Sequence, residues 1–176
     1  TQGGCASRPG LAHTNIIFRE LGYECINLGF SGNGHLEKSI GTIMSDIDAS
    51  LYVIECMYNV DKKMIRERTG PLIKSIRANS HRKNIPIVFM EQVVIDNGHI
   101  NTNFISDVVE KNEELNKQIQ ENINEGEKDL YVVKHNGAIN KDSEATVDGI
   151  HFNDIGFQRY AKHFIKNIRK LKILGL

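Results

Sequence analysis

Leu51-Tyr52-Val53-Ile54-Glu55-Cys56-Met57-Tyr58-Asn59 begins as an unbroken apolar run and ends in polar residues. Strict alternation is missing from residues 51–54, which predicts a strand buried on both faces, as in a parallel sheet with helices on either side. The polar residues after it then mark the end of that strand, with Asn59 able to offer an amide donor.

Working outward, the flanking segments read as helices and short strands in turn. Residues 36–47 and 11–21 have helical apolar spacing, and the second run stops at Gly22, a natural helix-ending glycine. Between them, residues 25–28 (Cys-Ile-Asn-Leu) read as a short strand. On the other side, 62–79 reads as a helix that Gly70-Pro71 is expected to break or kink. A strand follows at 86–90, then a long charged helix at 104–123 with apolar Ile105, Val108, Val109, Leu115 and Ile119. A strand at 130–133 and a closing helix at 154–171 complete the series. This alternation predicts an α/β fold, a three-layer α/β/α sandwich around a parallel, flavodoxin-like sheet. Such sheets usually place their first strand near the centre, yet this chain opens on a loop and a helix. The first strand is therefore expected upstream of Thr1.

Composition narrows the function classes. The 176 residues suit one domain with a sizeable core. Their 22 basic and 22 acidic side chains cancel, so nothing advertises nucleic acid or an anionic membrane as partner. No run is long and apolar enough to span a bilayer. Cys5, Cys25 and Cys56 have no metal-type spacing, and Cys25 and Cys56 read as buried small apolar residues in or beside strands. A cysteine nucleophile at Cys5 would need a nearby base and a depressed pKa. His13, His35 and His99 are scattered, which speaks against a metal site built from them.

The chemistry is concentrated in Val147-Asp148-Gly149-Ile150-His151-Phe152-Asn153-Asp154-Ile155-Gly156. A carboxylate three residues before an imidazole, in a turn entering a helix, can hold one ring nitrogen and leave the other free as a general base. The plainer reading is that His151 caps or packs the last helix. Asp154 reads as a first-turn carboxylate favoured by the helix dipole. A second candidate is the glycine-rich loop Asn27-Leu28-Gly29-Phe30-Ser31-Gly32-Asn33-Gly34, where Gly32 is either a turn glycine or an amide donor approached closely by a ligand. Ser7 and Ser31 read as turn or loop hydroxyls.

Taken together, these residues resemble the SGNH, or GDSL-like, hydrolase family. By that resemblance Gly32 matches the oxyanion glycine, Asn59 the oxyanion asparagine, and Asp148 with His151 the acid and base of the family's Asp-x-x-His. Val60 follows Asn59 where the family's common Gly-x-Asn-Asp carries an aspartate. Thr1-Gln2-Gly3-Gly4 looks like the tail of the family's Gly-x-Ser-Ile-Thr-x-Gly, so the nucleophilic serine is expected two residues before Thr1. The resemblance implies that residues 1–176 are one SGNH hydrolase domain lacking its first strand and nucleophile block. It implies a serine ester hydrolase that needs no cofactor and no metal and acts on a small-molecule or glycan ester. Gly3-Gly4-Cys5-Ala6-Ser7-Arg8-Pro9-Gly10 resembles SGNH proteins of glycan-degrading bacteria, which points to an acetylated carbohydrate and to a secreted or periplasmic setting. The alternatives are a catalytically inactive glycan-binding member, an esterase for short-chain acyl lipids, and a flavodoxin-like module holding a phosphate on the Ser31–Gly34 loop.

Overall fold

A computed structural model describes residues 3–78, 84–95 and 101–176. Asn79, the expected end of one helix, and His99 lie outside the described residues. The described parts fall into two compact units, one from Asn33–Gln92 and Asp107–Lys134, the other from Thr1–Gly32, Val93–Ser106 and His135–Leu176.

The first of these units contains the sheet. Strands β1 (Tyr52–Ile54), β2 (Ile87–Met90) and β3 (Leu130–Val133) are parallel and ordered β1-β2-β3, with Val53 opposite Val88 and Val88 opposite Tyr131. All four residues of β2 are buried, as an unbroken apolar run demands. β1 departs from that expectation. Tyr52 and Ile54 are buried, but Val53 between them is 40% exposed, so this strand has one covered face. The expected strand at 25–28 is also absent: residues 23–30 carry no regular secondary structure and join no ladder. A strand is defined by its neighbour, and among the described residues none pairs with this segment.

Helices α2 (Lys38–Ser45) and α3 (Lys62–Ile76) and the larger part of α4 (Thr102–Asn124) belong to the same unit. α3 starts where Asp61 accepts a hydrogen bond from the Met64 amide at 2.7 Å. It does not break at Gly70-Pro71. Leu72, Ile73 and Ile76 follow the proline and are fully buried with Ile65, Ile87, Phe89 and Leu115. Burying each such side chain is worth about 1.5–3 kcal/mol, enough together to offset the roughly 3 kcal/mol that an internal proline costs. α2 lies against α3 at Gly41, where a Cβ would collide with Ser75 Oγ and crowd Leu72. Beyond β2 a side chain takes over the role of a strand: Asn112 of α4 accepts from the Gln92 amide at 2.8 Å and donates to its carbonyl at 2.9 Å.

In the other unit α1 (His13–Leu21) packs with α5 (Asp154–Lys170). Ile16 meets Phe157 and Ala161, and the buried His13 ring stacks on Phe157 and meets Tyr160 edge-on. α1 ends where Gly22 takes φ 70°, a conformation that glycine adopts without strain. No helix among the described residues is long and apolar enough to cross a membrane.

Candidate active site

The Asp148–His151 stretch is a tight loop locked onto the start of α5. Thr146 and Phe152 form an antiparallel bridge, the Val147 amide donates to the His151 carbonyl at 2.9 Å, and the Asn153 amide to the Ala145 carbonyl at 3.0 Å. Asn153 then caps α5, its side-chain oxygen accepting from the Gly156 amide at 3.0 Å while its amide nitrogen donates to the Glu144 carbonyl at 2.8 Å. Gly156 is required here, because a Cβ would run into the Ala145 carbonyl oxygen.

Inside this loop the Asp148 carboxylate collects three hydrogen bonds. It accepts from the backbone amides of His151 at 2.7 Å and Ile150 at 2.9 Å, and its second oxygen lies 2.7 Å from His151 Nδ1. Chiefly through the His151 amide, and then its ring and the Ile150 amide, these bonds pull the Asp148 pKa down to about 2. The carboxylate is thus ionised at neutral pH and can only accept, so Nδ1 carries the proton that it holds. Neutral His151 then presents its lone pair on Nε2, the atom a general base uses. Both side chains are exposed, and the neighbouring Val147, Ile150 and Ile155 add exposed apolar surface.

The remaining candidates have separate positions. Gly32, in the same unit, is an exposed turn glycine at φ 83°, preceded by Ser31 at φ 46°. Asn59, in the sheet-bearing unit, ends a short helical turn after β1 and is half-buried. Met57, two residues before Asn59, is fully buried. Reading the sequence missed the neighbour of Asn59: Gly34 is so close that a Cβ there would sit 3.8 Å from Asn59 Nδ2 and 3.2 Å from Cys56 Cβ. The glycine-rich run containing Gly34 was the signal available for it.

Cysteines and histidines need two corrections. Cys25 is exposed, contrary to expectation, because its segment joins no sheet. Cys56 is half-buried, and burial pushes its thiol up to about 12, so it is no thiolate at neutral pH. His13 is buried with Nδ1 unpartnered, and His35 Nδ1 lies 3.4 Å from Glu37. No group of three or more His, Cys, Asp or Glu side chains among the described residues could hold a metal ion.

Ser7 carries the other feature that the sequence hid. Its amide donates to Asp154 Oδ1 at 2.8 Å, and its hydroxyl also bonds that carboxylate. With the partners 147 positions apart in sequence, no local pattern announces the pair.

Comparison with known proteins bears on the whole chain. The model of the GDSL-like Lipase/Acylhydrolase family matches residues 1–169. A crystal structure described as a GDSL-like lipase from Bacteroides ovatus superposes with a TM-score of 0.89 at 36% identity, covering 96% of this chain and 50% of that one. The salicylyl-acyltransferase SsfX3 from a tetracycline biosynthetic pathway superposes with a TM-score of 0.78 at 16% identity, covering 98% of this chain and 52% of that one, a likeness of fold. This chain thus spans about half the length of the solved structures it matches. A search of curated proteins finds no match. With the family match covering nearly every residue and the fold shared at 36% identity, the chain belongs to the GDSL-like lipase/acylhydrolase family and has the α/β fold of the SGNH hydrolases.

Proposed function

We propose that this chain belongs to a serine ester hydrolase working through an acyl-enzyme, with His151 as general base, Asp148 as its partner, and a serine two residues before Thr1 as nucleophile. The 2.7 Å contact between Asp148 and His151 Nδ1, leaving Nε2 open, carries the reading. Nε2 takes the serine proton as Oγ attacks the ester carbonyl. The amide of Gly32 and the side chain of Asn59, with the serine's own amide, donate to the oxyanion. Collapse of the tetrahedral adduct expels the alcohol, which receives its proton from the imidazolium, and water repeats the sequence on the acyl-serine. Asp148 remains ionised throughout and steadies the imidazolium.

The upstream serine is supported by the Thr1–Gly4 match and by the 23–30 segment. Ile26, Leu28 and Phe30 of that segment are exposed although apolar, as expected of a strand whose neighbour belongs to an upstream segment. Residues 1–176 are on this reading one hydrolase domain whose first strand and nucleophile block precede Thr1. The Gly3–Gly10 resemblance supports an acetylated carbohydrate as substrate.

The test uses the protein with its upstream residues and p-nitrophenyl acetate. His151→Ala should lower kcat/KM at least about a hundredfold, the low end of what a general base contributes, while the folded far-ultraviolet spectrum persists. Asn59→Ala should be milder, since other donors remain, costing no more than about 2.7 kcal/mol, the low end of what one oxyanion donor contributes. Unchanged rates in His151→Ala would remove this histidine from the mechanism.

A further inference from the structure

Asp154 occupies a place between the two ends of the proposed chemistry. It is the first residue of α5, immediately after the cap Asn153 and three residues beyond His151, so the loop carrying the base and the start of this helix move together. Its carboxylate reaches back across the chain to the Ser7 amide at 2.8 Å and to the Ser7 hydroxyl. Ser7 lies in the loop that follows the proposed nucleophile block. Nearby, Gly4, Cys5, Arg8 and Pro9 are exposed, and the local turn is closed by the Ala6 amide on the Gly3 carbonyl. Behind it the same two stretches are clamped by apolar contacts, Ile16 with Phe157 and the His13 ring between Phe157 and Tyr160. Ala6, next to Ser7, packs against the Ile16–Phe157–Ala161 cluster, and the Asp154 carboxylate adds a polar tie to the same loop.

We propose that Asp154 is a positioning residue of the hydrolase: by gripping Ser7 it fixes the segment downstream of the nucleophile against the helix that follows the loop carrying the base. The inference rests on the serine hydrolase reading above. Its physical basis is that general-base catalysis needs the nucleophile within hydrogen-bond reach of Nε2, and small misplacements of reacting groups cost large factors in rate. A first-turn carboxylate serving only the helix dipole would have no need of Ser7.

The test again takes the protein with its upstream residues, on p-nitrophenyl acetate, well below each variant's Tm so that every molecule counted is folded. Asp154→Ala should lower kcat about tenfold with KM within about twofold. Asp154→Asn keeps an oxygen able to accept from the Ser7 amide and should recover most of the loss. Ser7→Ala should cost less, and nothing further in the Asp154→Ala background. A purely structural role would lower Tm and leave kcat per folded molecule untouched, and that result overturns the proposal, as does an Asn variant no better than Ala. Wild type and His151→Ala run alongside: an inactive wild type, or an active His151→Ala, defeats the hydrolase reading itself, whereas normal controls with a silent Asp154→Ala defeat this inference alone.

Discussion

The Asp148 carboxylate shows how three short bonds from one loop set the state of a residue. Because its pKa is drawn down to about 2, the Asp148 carboxylate stays ionised through mild acidification from neutral pH, and protonation of this group plays no part in any loss of activity there. His13 has the opposite environment. It is buried between Phe157 and Tyr160, its Nδ1 has no partner among the described residues, and burial lowers its pKa from 6.5 to about 4. The unfolded chain therefore binds a proton near pH 6.5 that the folded one refuses until about pH 4. Stability from this group is fully present above pH 6.5 and falls as the pH drops toward 4, by an amount on the order of 3 kcal/mol in all. Urea unfolding at pH 7.5 and pH 4.5 should show His13→Phe losing less stability over that interval than wild type. An equal loss in both proteins would remove His13 from the acid response.

Helix boundaries and contacts are matters of elements, and here Gly41 decides how α2 meets α3. With no Cβ to collide with Ser75 Oγ, α2 approaches α3 at this point more closely than any other residue permits. Gly41→Ala should destabilise the protein by about 1–3 kcal/mol, the usual cost of forced overpacking, outweighing the better helix propensity of alanine. Thermal unfolding measures it, and an unchanged or raised Tm would mean that α2 can shift without loss. α3 and β2 were readable because apolar spacing and burial agree along them, whereas Ile105 and Val109 of α4 belong to its apolar pattern and are exposed. Pro71 misled because propensity is local, whereas Leu72, Ile73 and Ile76 are held by the core of the whole unit. The 25–28 segment misled for the converse reason: β-branched and apolar residues signal a strand, but only a neighbour makes one.

At the scale of the molecule, the family and the Asp-x-x-His were legible because the pair is local and its spacing carries the chemistry. The grip of Asp154 on Ser7 and the approach of Gly34 to Asn59 were not, since both join residues distant in sequence that only the folded chain brings together. The central claim is that the Asp148–His151 pair serves a serine just upstream of Thr1. Labelling the protein, upstream residues included, with a fluorophosphonate and locating the adduct by peptide mass spectrometry tests it most directly. The account predicts one adduct, on the serine two residues before Thr1, formed rapidly by wild type and slowly by His151→Ala. An adduct on Ser7 or Ser31, or none on a protein that still hydrolyses esters, would contradict it.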